Sequence, residues 1–161
     1  MNVVITEEER DFINCKLLTN KIIISSFLMN RMNEEEVYNS FFEYNLEFHK
    51  LCLKYNISDN AQLKLDSMRL VGDELKINEN EISIDITGSD DIIRNYYMSN
   101  LYILIMEQLK TGKMMEKSYD FFEKYKHFRT LYNNEIKKLS IEYERFIRID
   151  LLENKIFFIK Q

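Results

Sequence analysis

The stretch DELKINENEISIDITGSDD (Asp73–Asp91) places seven acidic side chains in nineteen positions between two segments of helical periodicity, and its reading decides the fold. Leu75 and Ile77 alternate with polar neighbours, and Ile82, Ile84 and Ile86 do so again, with the polar run NENE between them. This period of two predicts a β-hairpin. Successive strand residues point to opposite faces, so the isoleucines share one face and Glu74, Lys76, Glu81, Ser83 and Asp85 share the other. Most of the acids then form the wet side of a half-buried ribbon. Asp90 and Asp91 follow Ser89, a capping residue type, and acids in a first turn complement the helix dipole. DITGSDD has neither the alternating oxygen ligands nor the twelfth-position glutamate of a calcium loop.

Outward from this stretch the chain punctuates itself clearly. TEEE (Thr6–Glu9) and NEEE (Asn33–Glu36) each set a capping side chain three residues before a glutamate, the pattern of a reciprocal helix cap. The first predicts a helix over about 7–32 with Phe12, Ile13, Leu17, Ile23, Ile24 and Phe27 as its apolar, core-facing side. The second opens a helix whose Val37, Phe41, Tyr44, Phe48, Leu51, Cys52 and Tyr55 recur at steps of three and four. Ser58 or Asp59 is the expected cap of a shorter third helix carrying Leu63, Leu65, Met68 and Leu70 and ending at Gly72. The helix from Ser89 has a wide apolar face (Ile92, Ile93, Tyr96, Tyr97, Leu101, Leu104, Ile105, Leu109) and is expected to close at Gly112. A long segment then carries Met115, Tyr119, Phe122, Tyr125, Tyr132, Ile136, Leu139, Tyr143 and Phe146 on or near one stripe, and is expected to run past Leu139 with a break near YNNE. Ile147, Ile149 and Leu151 alternate before a polar turn at Glu153–Lys155 and a last apolar strand, which predicts a second hairpin. The expected fold is α+β and helix-dominated: about five helices with two β-hairpins, one after the third helix and one at the C-terminus, in a single domain over 1–161.

Length and composition fit that reading. A chain of 161 residues, 45% hydrophobic and 30% charged, can bury a core without disulfides or a structural metal. Its longest apolar runs are too short or too interrupted to span a bilayer, and MNVVITEEER lacks the basic-then-apolar order of a secretory signal, so a cytoplasmic, membrane-free protein is expected. Cys15 and Cys52, without CxxC spacing, read as small buried residues of a reducing compartment. Lys, Asn, Ile, Tyr and Phe are abundant while Ala occurs once and Pro and Trp never, a bias that points to an AT-rich genome such as that of a low-GC bacterium, its phage or a large DNA virus.

The net charge of −5 is unevenly placed: residues 1–80 carry 9 basic and 14 acidic side chains, residues 81–161 carry 13 and 13. The most basic run, Lys110, Lys113, Lys117, Lys124, Lys126 and Arg129, is interleaved with Glu116, Asp120 and Glu123 and reads as a solvated helix face rather than a phosphate-binding stripe. His49 and His127 have no second ligand at helical spacing, and a nucleophilic Cys52 or Cys15 with His127 would need specific neighbours that spacing does not supply. Three isolated glycines form no phosphate loop. The sequence predicts no catalytic residue, cofactor or metal. Adjacent aromatics in VYNSFFEY, NYYMSN and SYDFFEKY diverge by about 100° on a helix, so some are expected at the surface, as anchors for a partner or a homodimer seam.

The expectation is therefore a non-enzymatic, acidic protein-binding module, such as a phage or mobile-element inhibitor of a host nuclease or defence enzyme. Its partner-binding acids are Glu34, Glu35, Glu36, Glu43, Glu47, Glu74, Glu79, Glu81, Asp85, Asp90 and Asp91. The partner is another protein with a basic surface, with direct nucleic-acid binding disfavoured. The alternative is a winged-helix-like nucleic-acid-binding regulator, dimeric through the long C-terminal helix; its groove reader, the third helix, would offer Lys64 and Arg69 against Asp59 and Asp66.

Overall fold

The computed structural model describes residues 1–76, 78–109, 117–139 and 142–160. These contain four helices and six strands in the order β1 (Asn2–Val4), α1 (Glu7–Leu28), α2 (Glu34–Lys54), β2 (Gln62–Lys64), β3 (Arg69–Val71), β4 (Glu81–Asp85), α3 (Asp90–Leu109), α4 (Ser118–Lys138), β5 (Tyr143–Asp150) and β6 (Lys155–Lys160). The architecture is α+β and helix-rich, with two three-stranded sheets. The chain divides into two compact units, one of Met1–Glu79 with Asp150–Leu152, the other of Asn80–Ile149 with Glu153–Gln161.

In the first unit, α1 and α2 are both opened by reciprocal caps. Thr6 Oγ1 accepts from Glu9 N–H while the Glu9 carboxylate accepts from Thr6 N–H, and Asn33 and Glu36 repeat the arrangement. α1 stops at Leu28 rather than running to Met32, because Asn30 turns left-handed (φ 57) and the amides of Asn30 and Arg31 fold back onto Phe27 and Ser26 carbonyls. The helices pack through Ile13, Ile24 and Leu28 of α1 and Val37, Phe41, Leu51 and Cys52 of α2, all buried. Asn20 is also fully buried on α1; its amide reaches Ser40 Oγ at 3.4 Å and its carbonyl oxygen has no partner.

The expected third helix is absent. Residues 62–71 instead form β2 and β3, with β3 at the centre of a sheet ordered β1-β3-β2. Leu70 sits opposite both Val3 and Leu63, so one apolar residue from each short strand meets the others, and Leu70 is fully buried. A helix would have kept Leu63 and Leu70 on one side but forfeited the ladder with β1. Met68, at φ 51, makes the left-handed turn between the strands. The segment therefore has no helix to lay in a nucleic-acid groove. Ile5, Ile13, Leu51, Cys52, Ile57 and Leu70 form the core of this unit.

The first expected hairpin is also replaced. Leu75 N–H bonds Asn56 O at 2.9 Å, Ser58 N–H bonds Asp73 O at 2.8 Å and Glu74 bridges Ile57, which ties 73–75 to the end of α2. Ile77 lies outside the described residues, as do Gly112, Lys110, Lys113, Met115 and Glu116. β4 pairs instead with β6, placing Ile82 opposite Phe158 and Ile84 opposite Ile156. A five-residue ladder backed by fully buried Ile156 and Phe158 outcompetes a short local ribbon. The C-terminal hairpin forms, and β6 lies between β4 and β5. Its first strand begins earlier than expected: α4 ends at Lys138, so Tyr143 and Phe146 do not continue the helical stripe but lie on β5, where their rings meet Phe158 of β6.

The second unit packs α3 against α4 beside this sheet. Met98, Leu101, Tyr102 and Ile105 of α3 are buried, as are Tyr132 and Ile136 of α4 and Ile149, Ile156 and Phe158 of the sheet. Aromatic rings dominate the contacts: Tyr102 lies against Phe121 and Phe128, and Tyr96, Tyr132, Phe146 and Phe158 form a chain of neighbouring rings. At the entry to α3, Asp85 Oδ1 accepts Thr87 N–H at 2.7 Å and Gly88 takes a left-handed φ of 82°, which turns β4 into the helix.

Candidate functional site

The acidic residues expected to meet a partner fall into both units and serve several purposes. In the first unit, Glu34, Glu35 and Glu36 open α2, where they complement the helix dipole, and Glu36 is committed to the Asn33 cap. Glu36, Glu43 and Glu47 follow at steps of seven and four along one side of the helix. Glu43 pairs with Lys16 of α1 and Glu47 with Lys50. Glu74 pairs with Lys76, and Glu79 is exposed. In the second unit, Asp85 holds its turn and is kept below the usual carboxylate range by the hydrogen bonds at Thr87. Asp90 and Asp91 are exposed in the first turn of α3.

Glu81 does not belong to an exposed acidic face. Its carboxylate meets Arg148 at 2.8 Å, and the guanidinium stacks on the Phe157 ring with 4.0 Å to the centroid. The ribbon alternation that put Glu81 outward held for Ser83 and Asp85, but β5 supplies a cation over that face which a two-stranded hairpin would have lacked.

Among the described residues, a cleft lies between α1 and α2. Glu9, Phe12, Ile13, Glu47, Lys50, Leu51 and Lys54 line a groove of about 190 Å³. Ile13 and Leu51 make its floor, and Phe12 stands 48% exposed at its edge. The rim is ionic: Lys54 and Tyr55 both donate to Glu9, and Lys50 donates to Glu47. Burial alone would raise the Glu9 carboxyl, but the donors Lys54, Thr6 and Tyr55 outweigh it and hold the group at about 2. The groove joins an apolar floor, a half-exposed aromatic ring and an acidic stripe of α2. Glu47 was legible as part of that stripe; Phe12 was assigned to the core side of its helix and instead borders the opening.

His49 is the residue the sequence most undervalued. It is buried on α2, with Nε2 3.3 Å from Asp150 Oδ1 and Nδ1 3.7 Å from Asp59 Oδ2. Burial pulls its pKa down, but the two carboxylates prevail and hold it above the ordinary imidazole value. A signal was present: His49 falls in step with Tyr38, Phe41 and Cys52 on the buried side of α2, and a buried imidazole requires partners. Cys52, one turn further on, is no activated nucleophile. Burial, with help from the Asp59 charge, pushes its thiol up to about 12. Cys15, expected inside, is exposed, and both cysteines are free thiols.

His127 is exposed on α4 with its ring edge-on to Phe128. Among the basic residues near it, Lys126 pairs with Glu123 and stacks on Phe122. Arg129 is half-buried among Tyr96, Tyr125 and Tyr132, 5.6–5.8 Å from each ring, and donates to Asn100. Of the aromatic clusters, SYDFFEKY supplies the surface rings, Tyr119 at 68% and Phe122 at 45% exposed, whereas Tyr38, Phe41 and Tyr97 are buried. Among the described residues, no group of three or more His, Cys, Asp and Glu side chains is arranged to hold a metal ion, and no helix is long and apolar enough to cross a membrane. Compared with family models, curated proteins and solved structures, the chain matches none of them.

Proposed function

We propose that the protein is a non-enzymatic protein-binding module whose working surface is the α1–α2 groove with the adjoining acidic side of α2. The observation that carries this reading is Phe12, an aromatic ring half-exposed beside an apolar floor and within reach of Glu47. Aromatic anchors next to desolvated pockets supply most of the energy of protein interfaces, while charged rims set partner choice and association rate. A groove of about 190 Å³ is the size of a single large apolar side chain, so the partner contributes one such anchor and presents basic groups to Glu34, Glu35, Glu43 and Glu47. Occupying the basic surface of a nucleic-acid enzyme in this way would inhibit it, which is the form of activity proposed.

The test is retention of a partner from a bacterial lysate on the immobilised chain, with and without nuclease, compared between the wild type, Phe12→Ala and a Glu35→Lys, Glu43→Lys, Glu47→Lys variant. A protein kept through nuclease treatment, weakened by both variants and released by moderate salt is the expected result. Retention unchanged in both variants, or abolished by nuclease, would overturn the proposal; the second outcome favours a nucleic-acid-binding regulator.

A further inference from the structure

We infer that the outward side of α1 is a seam at which two copies of this chain pair antiparallel about a two-fold axis. The buried side of α1 carries Ile13, Asn20, Ile24 and Leu28. At 3.6 residues per turn, Ile22 points half a turn away from Ile13. On that outward side the residues Glu8, Asp11, Cys15, Leu18, Ile22, Ser25 and Met29 repeat at steps of three and four, the spacing of a coiled-coil seam. Leu18 is 49%, Ile22 66% and Met29 55% exposed, and Cys15, about one turn before Leu18, is exposed as well.

The ends of this stripe differ in charge, which selects the occupant. Its first turns carry Glu8 and Asp11, while Arg31 follows its last turn, exposed beyond the Asn30 bend. A second copy running antiparallel meets this arrangement with its own reverse. With Leu18 opposite Ile22, Cys15 lies opposite Ser25, Met29 lies over the Asp11–Phe12 turn, and Glu8 comes within reach of Arg31. Every contact then occurs twice, with Leu18 against Ile22 at the centre and Glu8 near Arg31 at the rim, as an isologous interface requires. A parallel copy would instead stack Glu8 on Glu8 and Arg31 on Arg31.

The area sets the strength. Leu18, Ile22, Met29 and the flanking Phe12 leave roughly 300–400 Å² of apolar surface on each copy, the size of the largest patch on a typical monomer, which is often functional. Two such faces with their polar flanks bury roughly 1,000 Å², the lower bound for a specific contact, so the pairing is reversible and concentration-dependent.

Sedimentation equilibrium of the whole chain from about 1 μM to about 1 mM spans the range in which a contact of this size associates. The wild type is expected to pass from monomer to dimer, and Ile22→Asp to remain monomeric with an unchanged thermal melt, since Ile22 is exposed. Glu8→Lys and Arg31→Glu, each turning two rim attractions into repulsions, should weaken self-association about tenfold. Mixed together they restore it, because each copy then meets its opposite charge at both contacts. A wild type that stays monomeric throughout, a dimer indifferent to Ile22→Asp, or a mixture no better than its components would overturn the pairing; the first leaves this face to a different partner. These outcomes are independent of the Glu35, Glu43 and Glu47 groove variant, which lies on α2; Phe12 borders both faces, so Phe12→Ala does not serve to separate them.

Discussion

The Glu81 carboxylate and the Arg148 guanidinium meet at 2.8 Å on one face of the second unit's sheet, with side chains only 5% and 13% exposed. Glu81 belongs to β4 and Arg148 to β5, so the pair spans the strand between them and lies on the ring of Phe157. Removing one partner strands the other charge away from water. Either Glu81→Ala or Arg148→Ala is expected to cost about 3 kcal/mol in urea unfolding, whereas replacing both by Met should come out near neutral. Strictly additive losses in the double variant would show that the two groups act independently.

The His49 imidazole gives stability a pH dependence whose sign follows from its raised pKa. Contact with Asp59 and Asp150 favours the protonated form in the folded state. The contribution is therefore complete below the unfolded-state value near 6.5 and is lost as pH rises through the folded-state value. His49→Gln should cost about 2 kcal/mol at pH 5.5 and less at pH 9, narrowing the gap between the two melts. A variant that loses equal stability at both pH values would contradict a charged imidazole.

Glu9 works in the opposite direction, since its folded-state value is depressed to about 2. Its contribution is present above the unfolded-state value near 4.5 and disappears as pH falls toward 2. Glu9→Gln keeps the shape of the side chain but weakens the Thr6 cap and the Lys54 and Tyr55 contacts. A loss of roughly 1 kcal/mol at pH 7 is expected, vanishing near pH 2, as read from acid titration of the helical circular dichroism signal.

Gly72 was legible as a break but not as a packing site. A Cβ there would stand 2.7 Å from Ala61 Cβ and 2.9 Å from Ala61 Cα, with Ile57 Cγ2 at 3.1 Å. Gly72→Ala should cost about 1–3 kcal/mol because backbone and a fully buried neighbour have to move, and Ala61→Gly in the same chain should recover part of it. An unaffected melting temperature for Gly72→Ala would mean that the β3 end is looser than its contacts indicate.

What the sequence disclosed was what neighbours in sequence decide. Both reciprocal caps, the apolar stripe of α2 and the alternation of Ile82, Ile84 and Ile86 depend on residues a few positions apart. Leu63, Leu65, Met68 and Leu70 have no clear period, and β3 is held from both sides, by Leu63 of β2 and by Val3 from the distant start of the chain. The same limit hid the site chemistry. His49 acquires its carboxylates from positions 59 and 150, and Glu81 acquires its cation from position 148, so neither could be assigned by helical or strand spacing.

The central place of β6 sets the order in which the second unit assembles. α3 and α4 are consecutive in the chain and close on each other after a short search, whereas Glu81 cannot find Ile159 until the whole intervening chain has been gathered in. Loop closure of that length is slow, and its entropy is recovered only once the ladder is complete. Helical signal in refolding should therefore appear before the sheet does, and Ile84→Ala should slow a late phase while leaving the early one unchanged. For a time the unit is a helical pair beside a β5–β6 hairpin, with β6 holding an open edge toward the strand that will join it.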